Sequence, residues 1–474
     1  MDPLEVEQMQ GLLIRGYGHL NAARFTLLAI REPARTKAWL KEMASRLPNG
    51  AAKPDRQAVH LAFTHGGLQK LGLAPAALDG FGREFREGMT TGHRQRLLGD
   101  YGDSAPPNWQ WGGPVNPEFD LLFLEYAADQ TALGELSAEH ERRFPDAGLI
   151  PVHQLPTRFL AQPKEHFGFR DGVSQPRLAG WKEPDTPENT VEPGEFILGY
   201  RNEYGEYPES PRVPPREDPG NVLPVSRPDP AGKDFGRNGT YLVFRQLEQD
   251  VSLFWQFMRE KTRDPDGHPD YPAMVRLAAK MMGRWPGGAP LTTSPAWDDP
   301  ARESENDFGY RTHDAHGYGC PIGAHVRRSN PRDAVSEDPE NSVAVAKRHR
   351  LLRRGRLYGN PLVESMRPEE MATAERDGEP RGLHFICLNA NLGRQFEFVQ
   401  HTWLNNPKFG GLYDEPDPVV GNHHPTDALT GTFTAQREPV RKRTTEVPRF
   451  VRVIGGAYFF VPSIPAVEYL ANLP

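Results

Sequence analysis

The sequence predicts an α+β protein built of two ferredoxin-like domains, each an antiparallel β-sheet with helices at its periphery. Three observations predict it. Strand-like and helix-like stretches alternate as β-α-β…β-α-β between Ala22 and Leu155. A second β-α…β-α series begins at Gly239, although no sequence repeat links the two. The 46 Gly and 47 Pro among 474 residues predict long ordered loops around a compact centre. The expected division is an N-terminal domain over 1–160 and a C-terminal domain over 161–474, the latter carrying a long loop insertion at about 184–238.

In order, Gln10–Tyr17 is a short amphipathic lead-in and Ala22–Ile30 a strand. Pro33–Arg46 places Trp39, Leu40 and Met43 at helical spacing. Ala58–Phe63 is a second strand, followed by a short helix, His65–Leu71, closed by Gly72. Residues 79–114, with Trp109 and Trp111 among Gly and Pro, read as a loop-rich insertion. Asp120–Tyr126, Thr131–Arg143 and Leu149–Leu155 complete the first series as strand, helix and strand. The Pro-, Gly- and charge-rich stretch 184–238, with one apolar island at Phe196–Tyr200, is expected to be an ordered excursion that wraps the site. The second series comprises strand Tyr241–Arg245, helices Glu248–Lys261 and Tyr271–Arg284, a polar loop at 287–319, strands Arg350–Tyr358 and Leu383–Leu388, helix Phe396–Leu404 and a last core strand, Gly455–Val461.

Composition removes several function classes. The net charge is −7 and the arginines are scattered, so no electrostatic footprint for nucleic acid is present. No apolar run is long enough to span a bilayer, and the first residues lack a basic end followed by an apolar stretch, so a cytoplasmic location is the expectation. Two cysteines, Cys320 and Cys387, make no disulfide framework. Without a CxxCH pattern, covalent c-type haem attachment is excluded. Nothing in the sequence sets the oligomeric state.

The segment from Gly319 to Asp333 puts one histidine, His325, after a small apolar approach and before Arg327, Arg328, Asn330, Pro331 and Arg332. Neutral imidazole is a good axial ligand for haem iron, and nearby guanidinium groups suit the two propionates of that cofactor. A surface or structural histidine is the alternative. Gly168-Phe169-Arg170-Asp171-Gly172 sets a carboxylate between glycines and aromatics, which allows a tight turn and a close approach of backbone to a flat ligand. Its alternative is a plain turn Asp. In Arg350–Tyr358, alternation sends Leu351, Arg353 and Leu357 to one face and Leu352, Arg354 and Arg356 to the other. An inward arginine needs an anionic partner; otherwise the strand is an exposed basic edge. Leu383 and Phe385 share a strand face and could wall a pocket.

Taken together and in this order, the Gly-x-x-Asp-Gly turn, the His-x-Arg-x-x-Asn-Pro-Arg segment, the Arg-x-x-x-x-Tyr-Gly strand and the Leu-x-Phe strand resemble the dye-decolourising peroxidases. Phe396–Trp403 and the closing Tyr458-Phe459-Phe460-Val461-Pro462-Ser463 fit the same series, and the long loops suggest the larger, loop-elaborated members. The resemblance implies one b-type haem per chain, held in the C-terminal half, with His325 as proximal ligand and Asp417 as its acidic partner. It implies Asp171 and Arg353 on the distal, peroxide-binding side, with Leu383 and Phe385 lining it. Arg327 and Arg332 are candidates for the propionates. Tyr358 and Trp403 occupy the positions of surface oxidation sites in some relatives, with ordinary core aromatics as the alternative. The implied reaction reduces hydrogen peroxide and oxidises small organic reductants, dyes and phenolics, by one-electron steps. A haem-storage or iron-release protein, and a protein without haem, are the competing readings.

Overall fold

Phe63 and Phe460 pair across the seam where the two halves of the chain join. The structure is a computed structural model that describes residues 3–181, 186–423 and 431–474. The first half contains β1 (Ala22–Ile30), α1 (Pro33–Arg46), β2 (Gln57–Phe63), β3 (Leu121–Ala127), α2 (Gln130–Arg143) and β4 (Leu149–Pro156). The second contains β5 (Thr240–Gln249), α3 (Val251–Lys261), α4 (Tyr271–Met282), α5 (His325–Ser329), β6 (Leu352–Arg353), β7 (Arg356–Tyr358), β8 (Gly382–Asn389) and β9 (Val451–Val461). The strands form one antiparallel sheet of nine in the order β6-β8-β5-β9-β2-β3-β1-β4, with β7 also paired to β8. Both halves follow the same ferredoxin-like order, so the duplication expected from the two series is present in topology. The two expected sheets are continuous through the β2–β9 contact.

The elements follow from local chemistry. In α1, Trp39, Leu40, Met43 and Ala44 are buried on one face, and Pro33 opens the helix, where its missing N–H costs nothing. Asp250 caps α3 by accepting from Leu253 N, and Asp270 caps α4 by accepting from Ala273 N. The Asp250 cap explains why α3 starts at Val251: Glu248 and Gln249 continue β5 instead. Arg350–Tyr358 is broken into β6 and β7 at Gly355, where a Cβ would lie 2.6 Å from His384 O. The predicted Phe396–Leu404 helix is wound with π-type bonding over Gly393–Glu397 and Val399–Leu404.

One face of the sheet is covered by α1, α2 and the 79–114 insertion, which supplies Phe81, Phe85, Met89 and Trp109 to the core. The other is covered by the N-terminal lead-in and by Phe196, Ile197 and Tyr200 of the long excursion. Residues 184 and 185 of that excursion lie outside the described residues. The rest is ordered by its own carboxylates: Asp218 accepts from Val222 N and Leu223 N, and Asp234 accepts from Gly236 N and Arg237 N. None of its described residues lines the cavity described next, so it does not wrap the site as the sequence suggested. Its apolar island finds burial on the sheet, where the Tyr200 hydroxyl donates to Asn238 and accepts from Glu5 N. No helix among the described residues is long and apolar enough to cross a membrane.

Candidate active site

Strand alternation builds a floor. Arg245, Leu247 and Gln249 of β5, Leu383 and Phe385 of β8, and Val451 and Val453 of β9 all line one cavity of about 310 Å³. Their registers are Leu383↔Leu247↔Val453, Phe385↔Arg245 and Gln249↔Val451, so the side chains stand in adjacent rows on one sheet face. Leu247 and Val453 extend the wall expected from Leu383 and Phe385. Their signal was present in the alternation of both strands, but pairing across more than a hundred residues decides which face is inward.

On one side of this cavity stands His325, the first residue of α5. Its Nδ1 lies 3.0 Å from Asp417 Oδ2, and the other Asp417 oxygen accepts from Val419 N and Val420 N at 2.9 and 2.8 Å. A carboxylate so placed fixes the imidazole tautomer with the proton on Nδ1 and leaves the Nε2 lone pair free. Burial by itself pushes His325 toward the neutral form, but the adjacent Asp417 charge outweighs it and the net shift is upward. Burial raises Asp417 in turn, and the neighbouring imidazole and backbone donors bring it below the ordinary carboxylate range.

Facing them is the turn that carries Asp171. Its two glycines sit at φ +91° (Gly168) and +83° (Gly172), a region open to glycine and costly for other residues. Phe167 stacks on Phe254 at 4.5 Å, Phe169 lies parallel to Trp255 at 6.1 Å, and Trp255 Nε1 donates to Phe167 O. These contacts anchor the turn to α3. Asp171 Oδ1 accepts from Arg353 Nη1 at 2.8 Å and from Gly172 N at 2.6 Å. Burial would raise the Asp171 carboxyl, yet Arg353 and the Gly172 N–H hold it below the usual range. The Asp171 side chain is 43% exposed although protein surrounds it, because it lines the cavity. Arg353 is positioned by Gln175, whose amide accepts from Arg353 N and donates to Arg353 O at the open edge of β6. The inward Arg353 thus has the anionic partner its strand position demanded.

Arg332 also lines the cavity, with a backbone φ of +54°. Its guanidinium donates to Asn306 O and Phe308 O, while its buried Nε has no partner among the described residues. The buried amide of Asn330, on the same wall, is likewise unpartnered at both atoms among the described residues. Arg327 does not join them. It lies outside the cavity lining, donates to Asp314 O and Cys320 O, and stacks 4.8 Å from the Tyr310 ring. The expected propionate contact is corrected accordingly: the short helix turns Arg327 to the side opposite His325. Tyr358 and Trp403 are 6% and 5% exposed, so neither is a surface residue. Tyr358 stacks on His384, and Trp403 packs against His349 and Phe398.

Sequence reasoning missed several supports. Arg328 is fully buried and donates to Gly323 O, Trp403 O, Asn406 O and Glu415 O, tying the helix of His325 to the segment that presents Asp417. Glu165 accepts from three donors beneath the Asp171 turn. Leu98, Asp100 and Ser104 close one end of the cavity from the 79–114 insertion. A basic residue next to another, or a carboxylate in a polar stretch, gives no sequence signal that separates such roles from a solvated surface.

No family model matches the sequence. Peroxidase 2 of Mycetinis scorodonius is 30% identical over 444 residues, covering 87% of this chain and 76% of the relative. The chain belongs to the dye-decolourising peroxidase family. The dye-decolorizing peroxidase of Mycena epipterygia is 29% identical over 452 residues with the same coverage. Among solved structures, an ancestral D-type dye-decolorizing peroxidase matches with a TM-score of 0.77 at 26% identity, over 98% of this chain and 99% of its own. Dye-decolourising peroxidases are haem enzymes, oxidoreductases that reduce peroxide and oxidise organic substrates, and this chain is a peroxidase of that type.

The cavity suits a haem group on its own chemistry. Leu247, Leu383, Phe385, Val451 and Val453 make the sheet floor largely apolar, and the cavity offers one imidazole whose Nδ1 is already committed. On its wall are the buried Arg332 Nε and Asn330 Nδ2, two donors without an acceptor among the described residues. A dianionic, flat, largely apolar ligand answers those features together.

Proposed function

We propose that the cavity holds one b-type haem per chain, with His325 as the proximal ligand through Nε2 and Asp171 and Arg353 on the opposite face. Two polar pairs support this reading: His325–Asp417 at 3.0 Å and Arg353–Asp171 at 2.8 Å, with His325, Arg353 and Asp171 all lining one cavity with a largely apolar floor. Leu383 and Phe385 line the distal side, and Arg332 is the candidate for a propionate. Hydrogen peroxide is the oxidising substrate, and small organic molecules, dyes and phenols, are the reductants. The haem-binding unit is residues 161–474, with 1–160 as the other domain; the 79–114 insertion reaches across to the cavity through Leu98, Asp100 and Ser104.

Haem bound there would supply iron at which peroxide is reduced and to which organic substrates would give up electrons singly. The chain's own residues do the rest. Asp417 keeps the proton of His325 on Nδ1 and makes the imidazole a stronger donor. Asp171, ionised, takes a proton from one oxygen of hydrogen peroxide and gives it to the other, so that water leaves. Arg353 holds Asp171 in place and faces the negative charge that grows as the O–O bond lengthens. The wall of Leu383, Phe385 and Leu247 keeps bulk water from that exchange.

Purified protein should show a haem Soret band, lost or displaced in His325→Ala. Stopped-flow mixing with peroxide should show a fast spectral change that Asp171→Asn and Arg353→Leu slow while haem remains bound. A parent protein without the band, or an Arg353→Leu variant that reacts at the parent rate, would refute the assignment. Because its carboxyl lies below the usual range, Asp171 stays ionised in acid, and the peroxide step should persist there. A pH–rate profile with a phenolic dye that peaks above neutrality would contradict this.

A further inference from the structure

The chain as a whole has a net charge of −7, yet one part of its surface carries the opposite sign. A two-stranded hairpin, Gly431–Ala435 and Lys442–Val447, pairs Thr434 with Arg443 and Ala435 with Lys442. Its inner side is anchored. Phe433 and Val447 are buried in one cluster with Val419, which lines the cavity. The buried Glu415 accepts from Thr434 N at 2.9 Å, and Ile322 N, three residues before His325, donates to Gln436 Oε1 at 3.0 Å. The hairpin is thus fixed against the outside of the cavity wall.

Its tip faces solvent. Arg437, Arg441, Lys442 and Arg443 are exposed, and Val440 among them is 65% exposed. Arg437 Nε donates to Val440 O at 2.8 Å, which closes the tip on itself. Arg441 and Lys442 make no ion pair among the described residues, and Arg443 reaches only Asp414, at 4.0 Å. Glu438, the one acid of the tip, accepts from the Tyr318 hydroxyl at 3.0 Å. Glu446, at the far end of the hairpin, is paired with Lys261. Thr432 Oγ1 donates to Asp414 O, so the segment before Glu415 joins the same surface. That segment adds Tyr413, 74% exposed, with Lys408 Nζ 5.9 Å from its ring centroid.

Lys408 and the four cations of the hairpin thus meet only Asp414 and Glu438, among two tyrosine rings and a valine open to water. Such a cluster repels itself, and a polyanion laid across it relieves the repulsion. The rings narrow the partner further. Sulfonate or carboxylate groups answer the guanidinium and ammonium groups, and arenes answer the tyrosines. Lipid headgroups supply the charge without the arene. Nucleic acid supplies both, but the reductants of this enzyme are phenols and dyes. A polymer of them is too large for a cavity of about 310 Å³ and needs a surface to rest on.

We propose that the hairpin tip, with Tyr413 and Tyr318, is a docking site for anionic phenolic polymers. Held there, a polymer keeps its phenolic ends near the enzyme at a raised effective concentration. This rests on the reading of phenols as reductants given above.

Lignosulfonate, a sulfonated phenolic polymer, would be titrated by calorimetry into purified parent and into the double variant Arg441→Glu/Lys442→Glu, without peroxide. Both positions are exposed and make no ion pair among the described residues, so the variant should fold as the parent does, which circular dichroism checks. The parent should bind, and the variant should bind about tenfold more weakly or worse, because two attractions become repulsions. Added salt should weaken the parent more than the variant. Tyr413→Ser should lower affinity for lignosulfonate and leave affinity for heparin, a polyanion without aromatic rings, as in the parent. In turnover, the double variant should show a raised KM for lignosulfonate at the parent kcat, and parent values of both for guaiacol, a small neutral phenol. A parent that does not bind lignosulfonate, or a double variant that binds it equally well, overturns the proposal. So does tighter binding of heparin, DNA or phosphatidylserine vesicles than of lignosulfonate, since the partner is then another class of polyanion. Binding is read without peroxide, so it judges the docking site separately from the haem assignment, which the Soret band judges.

Discussion

Replacing Arg328 by methionine would remove a second tie, beside the His325–Asp417 bond, between the His325 helix and the Asp417 segment. The guanidinium spans four carbonyls: Gly323 O at 3.2 Å, Trp403 O at 2.8 Å, Asn406 O at 3.1 Å and Glu415 O. Methionine fills much of the volume but donates nothing, so four inward-facing carbonyls lose their donor. Each costs about 1 kcal/mol at the low end for a buried unsatisfied group. The loss is offset in part because a buried cation, held well below its usual pKa at about 10 by desolvation, no longer has to be kept dry. The net expectation is about 3 kcal/mol of destabilisation, within the stability of a typical protein, so the variant should fold. Arg328→Lys should fall between, since an ammonium cannot reach all four acceptors at once. Urea unfolding gives the first number. The second readout is the Nδ1 proton of His325 by nitrogen-edited NMR in haem-free protein: its exchange with water should accelerate in Arg328→Met, because Asp417 is no longer held against it. Stability within 1 kcal/mol of the parent, together with an unchanged Nδ1 proton, would refute this account.

Other expectations follow from the same geometry. Burial pushes the Cys320 thiol up to about 12 and raises Cys387 further, so neither should react with a maleimide until urea unfolds the chain, when two thiols should appear. Gly172→Ala meets no neighbouring atom but forces alanine to φ +83°, which should cost about 1–2 kcal/mol in thermal or urea unfolding and slow the peroxide step by displacing Asp171. Glu165 should also mark the pH dependence of stability. Its carboxyl titrates at about 7 in the fold against 4.5 ordinarily, so between these values the folded chain keeps a proton that the unfolded chain has lost. Stability should therefore fall as pH rises through that window, by up to about 3 kcal/mol, and Glu165→Gln should lack this component. A parent and variant with parallel stability–pH curves would contradict it. Tyr358→Phe and Trp403→Phe, at buried sites, should leave the oxidation rate of a bulky dye unchanged, which steady-state assays can check.

The sequence by itself determined the local elements. Ala22–Ile30 and Pro33–Arg46 have the bounds that alternation, helical spacing and a leading proline require, and Gly168 and Gly172 take the backbone conformation that only glycine adopts freely. These are short-range facts, set by sterics and by the few residues on either side. The order of motifs along the chain pointed to one family. What only the tertiary structure decided lies at long range. Arg353 meets Asp171 across 182 positions and His325 meets Asp417 across 92. The two halves close into one sheet at Phe63 and Phe460. Arg327 and Arg328 are adjacent and alike in sequence, yet neither faces the cavity: one stacks on Tyr310, while the other staples four carbonyls. Glu165 is indistinguishable in sequence from a solvated glutamate until β5 brings Gln249 to it. A charge's role depends on the partners and the burial it finds, and those are properties of the packed chain that no local pattern encodes.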